Sequence, residues 1–295
     1  MNLSELLLSL LLAAVCSCQR SNQGGGDFRD RDAYFTDEEL EQSSKESVGQ
    51  EKTYKEIPKY NSIATGQIDV SVGLPKLKKV ISSQILKRTS YYLSYNKSLL
   101  IPNWVAWHLT AEHADGVIPR DNTYYEDIDV PLPRATNEDY HGSGWSRGHM
   151  CPAGDNKWDA EAMRESNLLT NICPQHASLN SGLWNVIERN CRKWAQKYGD
   201  LYIVCGPVLL NREHETIGVN KVVVPEAFFK VILRMNPQPA AIGFIIRNNE
   251  GKKKKGQFVN TIDDVERITG MDFFPSLPDS VEDKVEAYSN LEDWK

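Results

Sequence analysis

The sequence has no apolar run long enough to cross a membrane as a helix. Its longest run, residues 6–15 (LLLSLLLAAV), has ten positions, whereas a bilayer requires about 20 residues. This length fits the apolar region of a signal peptide, although no Lys or Arg precedes it and Glu5 is acidic. We therefore predict that residues 1–18 are a signal peptide and that the protein is exported.

Cysteine is scarce, and its six positions divide into two groups. Two of them lie at the end of the apolar run, where Val15-Cys16-Ser17-Cys18 resembles a bacterial lipobox. A lipid on Cys18 would make the protein a cell-envelope lipoprotein, periplasmic or on the outer surface, that touches the membrane only through this anchor. Plain secretion is the alternative.

The other four cysteines are an even number in a chain predicted to be exported, which indicates two disulfides in one of three connectivities. No C-x2-C or H-x3-H pair is present, so a zinc site of the usual spacing is disfavoured. A zinc- or cysteine-dependent hydrolase remains an alternative, in which Cys151 or Cys173 acts with His149 or His176. The four cysteines are Cys151, Cys173, Cys191 and Cys205.

Basic residues are outnumbered by acidic ones, but the excess acid lies at the two ends of the chain. The whole chain carries −6, residues 27–51 carry −6 and residues 279–295 carry −4, which leaves +4 for residues 52–278. A mildly basic body suits an anionic partner. We predict a disordered acidic tether at residues 19–55, a folded domain at residues 56–278 and an acidic C-terminal tail at residues 279–295.

Strand-like segments outnumber helical ones and do not alternate regularly with them, so an α+β fold is predicted. Residues 91–95, 104–109 and 201–204 are rich in aromatic and β-branched side chains, as strands are. Residues 115–144 are polar and interrupted by Pro and Gly, which predicts a long surface loop. The longest helical pattern starts at Asn180, and its apolar stripe consists of Leu183, Ile187, Cys191, Trp194 and Tyr198.

A second stripe of this helix carries polar groups. Asn180, Trp184, Glu188 and Arg192 follow one another at steps of four. At about 100° per residue, Asn180 and Glu188 differ by only about 80°, so both can face one pocket. Taken alone, Glu188 and Arg192 would be an ordinary ion pair and Asn180 an ordinary N-cap.

Two further motifs lie upstream of this stripe, Arg147-Gly148-His149 and residues 171–175 (NICPQ). The order R-G-H, N-x-x-P-Q, N, x3, W, x3, E, x3, R resembles the DNA/RNA non-specific endonucleases of the ββα-metal (His-Me finger) superfamily, the group that includes endonuclease G. The motif core covers residues 146–192, and a weaker likeness extends over about residues 70 to 275. The resemblance implies a ββα-metal finger set in a mixed or antiparallel sheet core flanked by helices.

The resemblance also assigns roles in phosphodiester hydrolysis. His149 would be the general base, because its ordinary pKa of about 6.5 allows it to be neutral at working pH. Asn180 would be the only direct protein ligand of one Mg2+, with Mn2+ as a substitute. Glu188 would hold the waters of that ion.

Arginines would supply the remaining positive charge. Arg147 and Arg192 match family positions that contact phosphate or stabilise the transition state. Arg120 matches a further catalytic arginine, with an ordinary surface charge as the equal alternative. The family pattern commonly begins D-R-G-H, whereas this chain has Ser146, which supplies no charge to orient Arg147.

Two supporting roles follow within the same resemblance. Asn171 would buttress the site by holding the turn before the helix. Cys151 would pair with Cys173 to brace the finger, which leaves Cys191 and Cys205 as the second disulfide.

The resulting prediction is a Mg2+-dependent endonuclease that hydrolyses both DNA and RNA without sequence preference, because no base-reading module is visible. A homodimer is compatible with this interpretation. The alternative is a surface lipoprotein that binds nucleic acid without cutting it, the Ser146 change having cost catalysis. The four lysines at residues 252–255 lie between glycines and are interpreted as a solvated hairpin tip.

Overall fold

The computed structural model describes residues 71–249 and 254–295. The predicted signal peptide, the lipid anchor at Cys18, the predicted tether and the first two lysines of the 252–255 run lie outside the described residues. Within the described part of the chain, no helix is both long and apolar enough to span a bilayer.

The described strands are β1 (Lys76–Leu77), β2 (Gln84–Lys87), β3 (Tyr91–Asn96), β4 (Ile101–Thr110), β5 (Ser146–His149), β6 (Ile172–Gln175), β7 (Asp200–Val208), β8 (Thr216–Ile217), β9 (Val222–Val223), β10 (Ala227–Arg234), β11 (Ala240–Arg247), β12 (Val259–Asn260) and β13 (Met271–Asp272). Seven of them form the antiparallel sheet at the centre of the fold, in the order β12-β11-β10-β7-β4-β3-β2. The others form two-stranded antiparallel pairs, β1 with β13, β5 with β6 and β8 with β9.

Helices occupy the segments between the strands in no regular alternation, so the predicted α+β class is confirmed. They are α1 (Ala111–Ala114), α2 (Asn137–Tyr140), α3 (Ala160–Ser166), α4 (Ala177–Leu179), α5 (Asn185–Tyr198), α6 (Ile262–Thr269) and α7 (Asp279–Glu286). Helix α2 lies inside the segment predicted as a surface loop, and its Asp139 and Tyr140 are buried. The prediction of a loop was wrong there because Thr136 and Asp139 form a capping box that begins a helix.

Strand β10, which lies between β11 and β7, is buried at all eight positions and packs on both of its faces. Phe228 contacts Trp184 on one face, with ring centroids 5.6 Å apart. Phe229 contacts Phe273 on the other face at 5.4 Å. Because successive side chains of a strand point to opposite faces, the sheet supports two separate cores. The first of them holds α5 against the sheet.

Strands β5 and β6 pair antiparallel and are called the hairpin below, although residues 150–171 lie between them. The hairpin is followed by α4, a wide turn at Asn180–Trp184, and α5. Regular helix therefore begins at Asn185, five residues after the start that the sequence pattern predicts. The cause is Gly182, whose φ of −97° and ψ of −112° are not helical. Irregular turns of this kind inside helices occur frequently at functional sites.

The residues predicted to form an acidic C-terminal tail carry α7 and a short helical turn, Leu291–Trp294. Trp294 is 2% exposed, and its ring lies 4.9 Å from that of Trp194 on α5. The guanidinium of Arg234 lies 5.4 Å from the ring of Trp294. The C-terminal residues thus cover part of α5.

The predicted disulfides are not formed. All four cysteines are buried and are free thiols. Cys173 lies opposite Gly148 in the hairpin register, whereas Cys151 lies beyond the end of β5. The Sγ of Cys151 accepts a hydrogen bond from Asn156 Nδ2 at 3.3 Å. In the second predicted pair, Cys191 with Cys205, the thiol of Cys205 donates instead to the backbone carbonyl of Met150 at 3.2 Å.

Candidate active site

His149 is the last residue of β5 and is only 6% exposed. The indole Nε1 of Trp184 donates a hydrogen bond to its backbone carbonyl at 3.2 Å. This bond joins the hairpin to the wide turn before α5. Two of the predicted motifs are therefore in direct contact.

The imidazole of His149 lies among polar and aromatic side chains. Its Nε2 is 2.8 Å from the amide oxygen of Asn167, and its ring centroid is 5.5 Å from that of Tyr124. Burial lowers the pKa of His149 to about 4; the hydrogen bond to Asn167 opposes this shift and the charge of Arg120 adds to it. The imidazole is therefore neutral at neutral pH, as a general base must be.

Arg120 is an exposed residue whose charge nevertheless reaches the centre of the site. It adds to the fall in the pKa of His149, and it opposes the rise that burial causes in the pKa of Tyr124 and of Glu188. Arg120 therefore lies near Tyr124, whose ring centroid is 5.5 Å from that of His149.

Arg147 is half-buried and lies between two tyrosine rings. Its guanidinium carbon is 5.3 Å from the centroid of Tyr124 and 5.1 Å from that of Tyr140. Its Nη2 donates to the backbone carbonyl of Asn137 at 2.8 Å. These contacts orient Arg147 and take the place of the charge that Ser146 does not supply.

Glu188 is half-buried on α5. Burial raises the pKa of its carboxyl to about 7, a shift that the charges of Lys230 and Arg192 reduce and that of Asp155 increases. Lys230 is fully buried, and its Nζ makes no hydrogen bond within the described structure. Its charge is therefore available to balance the carboxylates around it.

Lys230 also contacts the indole ring of Trp184, which hydrogen-bonds to the backbone of His149. Its Nζ lies 4.4 Å from the ring centroid of Trp184 and 4.9 Å from that of Trp107. Cations over indole rings are attracted to the ring quadrupole. Lys230 thus fixes the indole that bonds the backbone of His149.

Arg192 pairs with Asp155, and among the described residues it makes no ion pair with Glu188. Its Nη1 donates to Asp155 Oδ1 at 2.7 Å, and Trp107 Nε1 donates to Asp155 Oδ2 at 3.1 Å. A Cβ at Gly154 would lie 2.7 Å from the same Nη1, so the glycine leaves room for the guanidinium. Burial opposes the charge of Arg192, but Asp155 outweighs it and raises the pKa of the arginine.

Asn171 acts on the segment after β5 and not on the turn before α5. Its Nδ2 donates to the carbonyls of Cys151 and Ser166 at 2.8 and 2.7 Å, and its Oδ1 accepts from the N–H of Cys151 at 2.9 Å. The residue is fully buried. It buttresses the chain that leaves His149.

Asn180 lies at the start of the wide turn and is half-buried. Neither its amide nor the carboxylate of Glu188 hydrogen-bonds to another side chain among the described residues. An amide oxygen and a carboxylate are hard oxygen donors of the type that Mg2+ prefers. Burial raises the pKa of Glu188 even though the charges of Lys230 and Arg192 oppose the shift, so a divalent cation would further stabilise its carboxylate. These side chains therefore fit the predicted ion.

A second group of acidic side chains could also hold a metal by its geometry. One carboxylate oxygen from each of Asp263, Glu266 and Glu286 lies within 4.8 Å of the others. Glu266 is already engaged, since it accepts from Lys78 at 2.7 Å and from the N–H of Phe273 at 2.7 Å. None of these residues comes from the motifs around His149.

Three residues of the site were not predicted from the sequence. Asp155 lies only six positions after His149 of the R-G-H motif, and this short separation was the sequence signal that could have indicated it. Lys230 is a single charge in the apolar run FFKVIL, which is typical of a buried functional or pairing role. Asn167 lies in no motif, and nothing in the sequence indicates its contact with His149.

Comparison with known proteins gives a family match over most of the described chain. The sequence profile of a family described as DNA/RNA non-specific endonuclease matches residues 74–280. The mitochondrial nuclease EXOG of Mus musculus is 38% identical over 207 residues, which cover 64% of this chain and 56% of that protein. The chain thus spans little more than half the length of this curated relative.

Two further comparisons agree. Mitochondrial endonuclease G of Homo sapiens is 32% identical over 220 residues, covering 70% of this chain and 72% of that one. A crystal structure of an EndoG/EndoGI complex, described as showing the mechanism of EndoG inhibition, superposes with a TM-score of 0.66 at 28% identity and covers 72% of this chain and 92% of that one. These relatives are named as nucleases, and none is named as a lipoprotein or a non-catalytic binding protein, so that alternative has no support.

Proposed function

The chain belongs to the DNA/RNA non-specific endonuclease family, and from this premise we propose that it hydrolyses phosphodiester bonds within DNA and RNA without sequence preference. The observation that carries the proposal is the environment of His149. Its imidazole is buried and neutral, and it lies at the end of the strand that carries Arg147. Its Nε2 is 2.8 Å from the side-chain oxygen of Asn167, and the charge of Arg120 acts on the ring. Export, as residues 1–18 suggest, would place this activity outside the cytoplasm.

His149 is proposed to accept the proton of the attacking water. An imidazole with a pKa of about 4 is unprotonated at neutral pH, so its lone pair is available in nearly every molecule. The hydrogen bonds to Asn167 and from Trp184 hold the ring and its backbone in place. This fixed geometry reduces the cost of orienting the base during the reaction.

The arginines are proposed to stabilise the negative charge that develops on the phosphate. Arg120 is exposed, and its charge acts on His149, so it is proposed to contact a phosphate of an incoming strand. Arg147 is held by tyrosine rings and a backbone carbonyl, which leaves part of its guanidinium for phosphate. Preorganised positive charge of this type lowers the barrier of phosphoryl chemistry.

Asn180 and Glu188 are proposed to hold one Mg2+, Asn180 as the direct ligand. When bound, the ion would neutralise the scissile phosphate and assist departure of the leaving oxygen. Asn180 is presented by the wide turn and Glu188 by the first turn of α5, so the irregular backbone at Gly182 sets their relative position. Mn2+ is proposed as a substitute.

The test is cleavage of circular double-stranded DNA and single-stranded RNA by the purified protein, with Mg2+ or with EDTA. We expect Mg2+-dependent cleavage of both, lost in His149→Ala and in Asn180→Ala. The exposed variant His141→Ala serves as the matched control and should retain activity. Intact polymers in Mg2+ and Mn2+, with the wild-type protein folded, would refute the proposal.

A further inference from the structure

The face of β5 that carries His149 continues to an exposed part of the molecule. Side chains alternate along a strand, so Arg147 and His149 lie on one face of β5, and Trp145 is the residue directly before the strand. His149 is buried, Arg147 is half-buried and Trp145 is half-buried at the outer end of the row. The row therefore leads from the proposed base towards solvent.

The neighbouring strand places a second ring beside Trp145. Ser146 lies opposite Gln175 in the register of the hairpin, so the next residues outward, Trp145 and His176, oppose each other. Their ring centroids are 6.2 Å apart, and the ring planes are inclined at 82°. His176 is exposed. The hairpin thus ends in an aromatic pair, Trp145 with His176, on the same face as the catalytic residues.

Hydrogen bonds hold both rings in place. Trp145 Nε1 donates to the carboxylate of Glu215 at 2.8 Å. His176 Nδ1 lies 2.8 Å from Ser178 Oγ, and the backbone N–H of His176 donates to Asn248 Oδ1 at 2.8 Å. Rings fixed before binding lose little freedom when a ligand stacks on them.

The chemistry of this pair suits a nucleobase better than a phosphate. The faces of indole and imidazole rings stack on bases of any sequence, which agrees with an enzyme that does not read sequence. The carboxylate of Glu215 repels phosphate groups at the same place. A base can therefore approach the pair while the backbone of the strand remains near the arginines.

We propose that Trp145 and His176 form a platform for one base of the substrate strand, away from the phosphate that is cleaved. Because the ring planes are inclined at 82°, the base would stack on the face of Trp145 and meet His176 at its edge. The inference rests on the proposed function and names a subsite for it. Trp145 is four residues from His149, about 13 Å along an extended strand. The stacked base is therefore a few nucleotides from the scissile bond and not next to it.

The platform selects for unpaired nucleotides. Both faces of a base inside a duplex are covered by its neighbours, whereas a base of a single strand can leave its stack and lie on a protein ring. The enzyme should accordingly bind single-stranded DNA or RNA more tightly than the same sequence in a duplex. This preference should depend on Trp145 and not on His149.

The experiment uses the full-length protein and single-stranded oligonucleotides with one natural phosphodiester among nuclease-resistant phosphorothioates. An abasic site is moved one position at a time along each side of the natural linkage. Wild type should show a rise in KM of about 5- to 150-fold at one or two positions that do not adjoin the linkage, with little change in kcat. Trp145→Ala should abolish this dependence, and Trp145→Phe should retain it.

A second tryptophan–histidine pair supplies the matched control. Trp158 stacks on His113 with centroids 4.1 Å apart, outside the hairpin. Trp158→Ala should leave the abasic profile unchanged. His176→Ala removes an exposed ring at little risk to folding, so it tests the platform even if Trp145→Ala does not fold; it should weaken the abasic dependence.

Two results would overturn the platform. The first is a wild-type KM that does not depend on the position of the abasic site on either side of the linkage. The second is a dependence of KM on that position that is the same as in wild type in all three variants, Trp145→Phe, His176→Ala and Trp145→Ala. Failure of the proposed hydrolysis is a separate outcome, in which the complete oligonucleotide is not cleaved at all. In that case the equilibrium affinities of the same abasic set, compared between wild type and His176→Ala, decide the stacking role.

Discussion

The imidazole Nε2 of His149 lies 2.8 Å from the side-chain oxygen of Asn167, and both residues are buried. The Nδ2 of Asn167 donates to the backbone carbonyl of Asp121 at 3.0 Å, which directs the amide oxygen towards the imidazole. Because that oxygen can only accept, Nε2 must carry the proton of the neutral ring. The lone pair is therefore on Nδ1, which is the atom that would accept a proton from water.

Changing Asn167 should alter the base in two distinguishable ways. Asn167→Leu removes the acceptor that fixes the tautomer, so we expect kcat to fall by about 10²- to 10⁴-fold at every pH. Asn167→Asp supplies a carboxylate that stabilises the imidazolium and raises the pKa of His149 from about 4. A base with a raised pKa is protonated as the pH falls through it, so activity should be lost in mild acid and recover in alkali.

The measurement is kcat/KM against pH for the two variants and for Asn190→Asp. Asn190 lies on α5 and donates only to the carbonyl of Val186, so its variant controls for the added charge. A profile of Asn167→Asp that parallels wild type would show that Asn167 does not set the protonation of His149.

Part of the site could be predicted because its residues recur at short, regular spacings. Arg147 and His149 follow the period of a strand, and Trp184 and Glu188 are one helical turn apart. The wide turn at Asn180–Trp184 could not be predicted, because the spacing does not show the non-helical backbone of Gly182. Asn167 could not be predicted, since its contact with His149 depends on a loop that brings two distant segments together. The family, which the motifs indicated, and the α+β class are confirmed.

The disulfide prediction failed because it depended on contacts across the chain. An even number of cysteines suggests disulfides, but their separation depends on strand register, which the count does not contain. Two features of the site that were not predicted have the same origin. Tertiary structure brings Arg192 to Asp155, and Lys230 is buried because β10 has a strand on each side in the sheet.

Gly148→Ala should destabilise the hairpin. A Cβ at this position would lie 2.4 Å from Oε1 and 2.5 Å from Cβ of Gln175, and a Cβ cannot move without its backbone. We expect the free energy of unfolding to fall by about 1–3 kcal/mol, as for other overpacked cores. Urea denaturation measures this change. Gly256→Ala is the control, because its nearest heavy atom is 3.8 Å away, and equal effects of the two variants would contradict the prediction.

The four buried cysteines should behave as inert thiols. Burial raises the pKa of Cys151, Cys173, Cys191 and Cys205, so little thiolate is present to react. We expect alkylating reagents to modify them only after denaturation and to leave nuclease activity intact. A reducing agent should not change the melting temperature, whereas each disulfide of ordinary strength would contribute about 2–4 kcal/mol. A cross-linked pair in a peptide map of the non-reduced protein would contradict this prediction.

Glu188→Gln should abolish or strongly reduce activity while it stabilises the protein in alkali. The pKa of Glu188 is about 7 in the folded protein and ordinarily 4.5, so the folded state binds its proton more tightly than the unfolded state. Stability contributed by that proton is complete below pH 4.5 and is lost as the pH rises through 7. At pH 8 the glutamine variant, which carries no charge, should therefore be more stable than wild type by about 1–3 kcal/mol.

The difference should disappear near pH 4, where the carboxyl is protonated in both the folded and the unfolded chain. At pH 8, Mg2+ should make wild type more stable than Glu188→Gln. The cation compensates the carboxylate of wild type, whereas the variant has no charge there to compensate. Thermal melts of wild type, Glu188→Gln and the exposed control Glu213→Gln, at pH 4 and pH 8 with and without Mg2+, separate these effects. If Glu188→Gln were less stable than wild type at pH 8 without metal, contacts within the protein would by themselves stabilise the charged carboxylate of Glu188. Its proposed part in binding the ion would then be wrong.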